Sequence, residues 1–304
     1  MKSEGPDTIL GSMLIRRLMT ALGRKPAPIV SVLRLSGVIG AGGALRQGIT
    51  LSALAPAIQK AFAVPGQQAV ALQINSPGGS PVQSALVAGR IRQLADEKKV
   101  PVFAFAEDVA ASGGYWLACA ADEIYADPSS IIGSIGVVSA GFGFQDLIAR
   151  HGIERRVHTS GTNKAMLDPF KPERDEDVVR LKAIQTEIHD AFKTMVRSRR
   201  GDRLKGGDED LFTGEFWTGA KALDLGLIDG LGDLRSVMRG RFGEKVDLRL
   251  VHADRRWWRG RIKTEGGAFS SMVPAMLPTN LADDFAGAMI NAIEERAIWS
   301  RFGL

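Results

Sequence analysis

The sequence predicts an α/β fold in which repeated βα units form a mainly parallel sheet. Two patterns support this prediction. Short apolar runs alternate with helical segments along most of the chain, and one of these runs, residues 69–75, is almost entirely apolar. A strand of that kind is buried on both faces, as the strands of a parallel sheet are. Successive βα units connect such strands in parallel, and their helices cover the sheet.

The first half of the chain contains three βα units. Thr50 is a helix N-cap, and the apolar positions of the second helix recur on one face. The predicted strands are rich in β-branched residues or end at glycine-containing turns. The strands are predicted at residues 29–35, 69–75 and 100–106, and the helices at residues 50–62, 82–94 and 111–121.

The second half is less regular. A long helix over residues 175–200 begins with acidic residues and ends with basic ones, which complements the helix dipole. A polar loop follows at 201–210, and residues 255–280 have the composition of a linker. Further strands are predicted at residues 123–126, 155–159 and 246–251, and further helices at residues 144–151, 217–227 and 281–299.

The composition is that of an ordinary globular protein. Of the 304 residues, 45% are hydrophobic and 24% are charged, which allows a sizeable core. The net charge of +5 is not arranged as a basic stripe with interleaved aromatic residues, so no nucleic-acid partner is expected. The single cysteine, Cys119, lies in an apolar helical stretch and is predicted to be a small buried side chain.

The N-terminal segment is predicted to be an amphipathic extension. No apolar run reaches the length of about 18 residues that a transmembrane helix needs. Residues 9–23 are apolar but contain Arg16 and Arg17, and they lack the pattern of a secretory signal peptide. They fit a helix lying on a membrane or on a partner, and equally a surface helix. We therefore expect a cytoplasmic protein with a peripheral contact at the inner membrane.

Two glycine-rich segments are candidates for chemistry. Residues 75–79 follow a buried strand, and a Pro-Gly-Gly turn there would direct backbone N–H groups towards an oxyanion, although a plain strand-to-helix turn fits equally well. Ser112 lies among small residues at the start of a helix, where an activated nucleophile would fit. Taken alone, an N-cap role explains Ser112 better.

The base that would activate Ser112 is not evident from spacing. None of the four histidines has a triad setting, and His189 lies on a predicted surface helix. A lysine base is the other option, and it must be neutral to accept a proton. Lys164 precedes an apolar stretch, but spacing does not select it among 39 lysines and arginines.

Five segments together resemble the signal peptide peptidase (SppA) family of serine peptidases. They occur in the family order between about residues 29 and 235, and the chain carries one copy of them, as the short members of the family do. The segments are residues 75–79 (NSPGG), 111–115 (ASGGY), 126–136 (ADPSSIIGSIG), 161–170 (GTNKAMLDPF) and 217–229 (WTGAKALDLGLID).

The resemblance implies a ClpP/crotonase-like fold and a Ser–Lys dyad. Ser112 matches the nucleophile, Lys164 the general base and Ser134 the serine that orients the lysine. Gly79 matches an oxyanion-hole donor, and the N–H of Gly113 is a second donor by analogy with related folds. The implied reaction hydrolyses extended hydrophobic peptides, such as remnants of signal peptides, through an acyl-enzyme.

The resemblance also implies a homo-oligomer in which neighbouring subunits complete the dyad. It divides the chain into an N-terminal extension (1–28), a peptidase domain (29–252) and a linker with a C-terminal helix (253–304). No cofactor or metal is expected, because no His, Cys or carboxylate cluster has ligand spacing and no phosphate-binding loop motif is present.

Two other functions remain open from the sequence. A crotonase-type acyl-CoA enzyme would share the fold and the oxyanion hole, but it needs an acid/base carboxylate, and the nearest candidate is Glu123. A catalytically silent scaffold would require the loss of Ser112 or Lys164, and both residues are present.

Overall fold

A computed structural model describes residues 26–40, 48–251 and 296–304. In these residues, eight strands form one sheet. The strands are β1 (Ile29–Ser36), β2 (Gln67–Ser76), β3 (Val102–Ala111), β4 (Glu123–Ala126), β5 (Ile131–Gly133), β6 (Phe216–Thr218), β7 (Gly230–Leu231) and β8 (Asp247–Val251). The main order is β6-β5-β3-β2-β1-β8, while β4 pairs with β3 and β7. Every pairing is parallel except that of β5 with β6, so the predicted α/β fold with a mainly parallel sheet is confirmed.

Helices connect the strands and cover the sheet. They are α1 (Leu51–Ala61), α2 (Pro81–Lys98), α3 (Gly113–Ala118), α4 (Gln145–Arg150), α5 (Asp175–Arg200), α6 (Asp208–Leu211), α7 (Gly219–Asp224) and α8 (Leu234–Phe242). Within the described residues, none of the helices is long and apolar enough to cross a membrane.

Side chains along β1 alternate between the two faces of the sheet, and each face has its own hydrophobic core. Leu33 and Leu35 face the larger core, together with Leu72 of β2. Val30 and Val32 face the opposite side of the sheet. The helices α1, α2, α3 and α5 contribute to the larger core, and α8 contributes to the smaller one. Because both faces are covered, the central strands are apolar on both sides, which is the pattern that identified them in the sequence.

Several predicted elements have different bounds. The third strand extends to Ala111, because its last residues pair with β5, and α3 therefore begins only at Gly113. The helix predicted at 217–227 begins at Gly219, because residues 216–218 form β6 and Thr218 caps the helix. The loop predicted at 201–210 contains a 3-10 turn and α6.

The strand predicted at residues 155–159 is wrong, since these residues form neither a strand nor a helix. None of the described strands pairs with this stretch, and Arg156 is exposed and forms an ion pair with Glu154. The N-terminal extension, the 255–280 linker and most of the C-terminal helix lie outside the described residues. Residues 296–300 are helical, as predicted for the end of that helix. The three-part domain division stays a prediction.

A buried ion pair joins the end of α5 to the turn after α7. The Arg200 side chain is 2% exposed and contacts both carboxylate oxygens of Asp229, at 2.7 and 3.0 Å. Asp229 also accepts from the Ile124 amide of β4 (2.7 Å), and Arg200 donates to the Gly226 carbonyl. Burial would raise the pKa of Asp229, but the hydrogen bonds from Arg200 and the Ile124 amide outweigh it, so the pKa lies below its ordinary value.

The helix α3 packs beside this ion pair. Tyr115 donates its hydroxyl to the Leu227 carbonyl (2.7 Å), so the helix is fastened to the turn that ends at Asp229. Cys119 follows α3 and is 1% exposed, which confirms the predicted small buried side chain. Burial raises the pKa of its thiol to about 12.

We predict that Asp229→Asn destabilises the fold at neutral pH by about 3–5 kcal/mol, because it leaves the Arg200 charge buried without its partner. Since the pKa of Asp229 is lower in the folded state, its stabilisation is fully present above the ordinary value of 3.8 and is lost as the pH falls through the folded value. Thermal melting of wild type and variant should therefore converge below pH 3.8. A constant difference in Tm down to the lowest pH would contradict the prediction.

Candidate active site

Ser112 occupies a strained backbone position between β3 and α3. Its φ is +53° and its ψ is −122°, a region that costs a non-glycine residue about 1–3 kcal/mol. Its amide donates to the Gly133 carbonyl of β5 (2.7 Å), and its carbonyl accepts from Trp116 (3.0 Å). The hydroxyl forms no capping hydrogen bond, so an N-cap role does not explain this serine.

The Pro-Gly-Gly turn after β2 packs directly against Ser112. A Cβ atom on Gly78 would lie 2.7 Å from the Cβ of Ser112 and 2.9 Å from the Gly113 amide nitrogen. At Gly79, φ is +139° and a Cβ atom would overlap the Ile39 carbonyl oxygen. Both positions therefore require glycine, and the close approach brings the turn beside the start of α3.

The backbone N–H groups of Gly79 and Gly113 are among those in this region that have no partner in the described residues. The amide of Ile39 donates to the Gly78 carbonyl, and the amide of Ser80 donates to the Ile39 carbonyl, which leaves the Gly79 N–H out of the pairing. The Gly113 N–H belongs to the first turn of α3, where helices leave their amides unsatisfied. Gly113 directly follows Ser112, and Gly79 directly follows Gly78, which packs against Ser112. Their role as oxyanion-hole donors stays a prediction.

Ser134 follows the strand that binds Ser112. Gly133 accepts the Ser112 amide proton, and Ser134 is the next residue, 5% exposed, with φ +52°. Its amide donates to the Glu215 carbonyl (2.7 Å), and its carbonyl accepts from the Gly136 amide (3.0 Å). The backbone hydrogen bonds of Gly133 and Ser134 thus fix this stretch beside Ser112.

Lys164 forms no hydrogen bond with Ser112 among the described residues. Lys164 is exposed and lies in a turn. We call the stretch that contains this turn, residues 137–174, the Lys164 segment. The backbone amide of Lys164 donates to the Gly161 carbonyl (3.2 Å), and its side chain forms no hydrogen bond or ion pair with the described residues. The role of Lys164 as the base for Ser112 therefore stays a prediction.

The Lys164 segment exposes large apolar side chains. Val138 is 67% exposed, Phe142 81% and Ile153 59%. The neighbouring helix α5 also exposes Val179 and Ile184. Such exposure over adjoining elements is typical of a surface that another protein covers.

Sequence reasoning missed the contacts that hold Ser134. The strand β6 is only three residues long, too short for a recognisable period, yet it pairs with β5. His189, predicted on a surface helix, is partly buried, and its Nε2 donates to the Ile135 carbonyl (3.1 Å) because α5 packs on this loop. No sequence pattern marks either contact.

Among the described residues, no group of His, Cys, Asp and Glu is arranged to hold a metal ion. Glu123, the carboxylate considered for acyl-CoA chemistry, is engaged elsewhere. Both of its oxygens accept from Arg241 of α8, at 2.6 and 2.7 Å, and it also accepts from the Tyr125 hydroxyl.

Comparisons with known proteins identify relatives. The chain is 50% identical over 292 residues to a Brucella abortus protein named Na(+)/H(+) antiporter NhaA, a match that covers 96% of this chain and 39% of that protein. It is 33% identical over 178 residues to a putative signal peptide peptidase SppA of Enterococcus faecium, covering 58% of this chain and 49% of that protein. The chain thus spans half or less of the length of these relatives.

A solved structure of the 1510-N membrane-bound stomatin-specific protease, in a mutant form, aligns with 75% of this chain and all of its own, at 17% identity and a TM-score of 0.47.

The model of Peptidase family S49 matches residues 94–245, which include Ser112, Ser134 and Lys164. The predicted resemblance to signal peptide peptidases is thereby confirmed at the level of the family. Because the match spans half of the 304 residues, the chain belongs to peptidase family S49.

Proposed function

We propose that the protein is a serine endopeptidase that uses Ser112 as nucleophile and Lys164 as general base. One observation carries the proposal. The strained Ser112 presents a hydroxyl that does not cap its helix, and the unpaired amides of Gly79 and Gly113 lie beside it. A nucleophile next to two fixed N–H donors is the arrangement that acyl transfer requires.

Each residue has a defined role in the proposed reaction. The Ser112 oxygen attacks the peptide carbonyl, and its proton passes to the neutral Lys164 amine. The N–H groups of Gly79 and Gly113 stabilise the oxyanion of the tetrahedral intermediate. The C–N bond then breaks, the leaving amine takes the proton from Lys164, and water hydrolyses the acyl-enzyme. Ser134 orients the amine through a hydroxyl that no described residue engages.

Lys164 is proposed to act on Ser112 of a neighbouring subunit. Two observations support this arrangement: the Lys164 side chain forms no hydrogen bond or ion pair with the described residues, and it lies in a segment with exposed apolar side chains such as Phe142. Contact with a second copy of the chain would bury that surface. It would also remove water from the lysine, which favours the neutral form that a base needs.

The proposed substrate is an extended peptide with hydrophobic residues. The name of the Enterococcus relative supports remnants of signal peptides as the natural class. An acyl-CoA enzyme is less well supported, because Glu123 is held in an ion pair with Arg241 on α8. A silent scaffold would need neither the strained Ser112 nor the unpaired amides.

We predict that Ser112→Ala abolishes hydrolysis of a fluorogenic peptide with a hydrophobic P1 residue, because the acyl-enzyme cannot form. Residual activity should lie about 10³-fold or more below wild type. Ser129→Ala, at an exposed serine of the same chain, is the matched control and should retain full activity. Full activity of Ser112→Ala would remove this serine as the nucleophile.

We also predict that two inactive variants complement each other. Ser112→Ala and Lys164→Ala should each be inactive alone. When they are co-expressed, intact Ser112 meets intact Lys164 at about one interface in four in a randomly mixed ring, so about a quarter of wild-type activity should return. Peptide hydrolysis by the purified mixed oligomer measures this recovery. An inactive mixed oligomer would show that both groups must come from one chain.

A further inference from the structure

The turn that carries Lys164 is fastened to the first turns of α5 on both sides of the lysine. The Asp177 carboxylate accepts from the Leu167 amide (3.4 Å), three residues after Lys164. The Arg180 guanidinium donates to the Asn163 side-chain oxygen (2.9 Å), one residue before it. The backbone of Lys164 therefore lies between two attachment points on one helix.

Asp177 is the buried centre of this attachment. Its side chain is 4% exposed, and Arg174 donates to both of its oxygens, at 2.7 and 3.0 Å. Arg180 lies 3.7 Å from the same carboxylate, so the residue that binds Asn163 is itself held by Asp177. The hydrogen bonds from Arg174 hold the pKa of Asp177 below its ordinary value, which keeps the carboxylate charged at neutral pH.

The turn needs an external support. Its own hydrogen bonds are few: Lys164 donates to Gly161 (3.2 Å) and Met166 donates to Asn163 (3.3 Å). Leu167 has φ +57°, a left-handed conformation that a leucine rarely adopts. A non-glycine residue keeps such a conformation only where its surroundings impose it. The bond from the Leu167 amide to Asp177 is a contact that imposes it.

We propose that Asp177 and Arg180 are positioning residues that hold Lys164 where its amine reaches the nucleophile of a neighbouring subunit. The inference rests on the proposed function. A general base acts only within hydrogen-bond reach of the proton it accepts, and a misplacement of about 1 Å costs on the order of 100-fold in rate. A lysine has a long flexible side chain, so the position of its backbone decides how often the amine reaches its target.

Because the Arg180–Asn163 contact is exposed, its role in positioning Lys164 can be distinguished from a role in the stability of the fold. The Arg180 side chain is 44% exposed and Asn163 is exposed, and exposed polar pairs contribute little to the stability of a fold. Loss of the Arg180–Asn163 hydrogen bond should therefore leave the melting temperature nearly unchanged. Its effect should appear in kcat, because the contact places the base and does not touch the substrate.

The test uses the protein in its oligomeric form, three single variants, the double variant Asn163→Ala/Arg180→Met and a matched control. Asn163→Ala removes the acceptor, Arg180→Met removes the donor, and Asn163→Asp keeps an acceptor oxygen at the same place. The control, Arg156→Met, removes an exposed arginine of the Lys164 segment. Arg156 pairs with Glu154, which is distant from Lys164 in the sequence. For each protein, kcat and KM are measured with the fluorogenic peptide, Ser112 labelling with a fluorophosphonate, and Tm by thermal melting.

We expect Asn163→Ala and Arg180→Met to lower kcat and the labelling rate about 10- to 100-fold, with KM and Tm little changed. The double variant should be no slower than either single variant, because both remove one contact. Arg156→Met should behave as wild type. Asn163→Asp should keep more of kcat than Asn163→Ala, because its carboxylate still accepts from Arg180, although it also favours the charged form of the adjacent lysine.

Wild-type kcat in both Asn163→Ala and Arg180→Met would overturn the inference. An equal loss in Asn163→Asp and Asn163→Ala would also overturn it, because the hydrogen bond would then not be the cause. A wild-type oligomer that neither cleaves the peptide nor reacts with the fluorophosphonate would instead overturn the proposed function.

Discussion

The hydrogen bond from the Ser112 amide to the Gly133 carbonyl joins the two strand ends on which the candidate site is built. It fixes the positive φ of Ser112, which turns the chain sharply from β3 into α3. It also places Ser134, one residue further along, beside the same serine. Since β5 is held at its other edge by β6, the short strands at the margin of the sheet determine the geometry of the nucleophile.

A second constraint is the absence of side chains on the facing turn. Gly78 and Gly79 approach Ser112 and Ile39 so closely that a Cβ atom would overlap either neighbour. The larger core beneath them is rigid, because the central strands are buried on both faces and α3 is fastened to the turn before Asp229. The strained conformation of Ser112 persists because its backbone is held by Gly133 and Trp116 and packed against Gly78.

The sequence predicts the central fold well and the margins poorly. Strands β1 to β3 are long and apolar, so the sequence shows a clear strand pattern there. Strands β5 to β7 have only two or three residues, too few to show a period of two. Gly79, Ser112 and Gly113 lie close together because they follow neighbouring parallel strands. The attachment of Lys164 to α5 could not be predicted, since an asparagine and an arginine 17 residues apart form no recognisable pattern. The stretch at 155–159 resembled a strand but pairs with none of the strands in the described part of the chain.

The separation of Lys164 from the nucleophile has a consequence for control in the cell. Under the proposed mechanism, a single chain contains the nucleophile and the oxyanion-hole donors but lacks a base that reaches them. Peptidase activity therefore requires assembly with another copy of the chain. The active fraction then depends on protein concentration, and steeply so if many copies are needed. Under that mechanism, a newly made or diluted chain does not cleave surrounding polypeptides until it assembles with other copies.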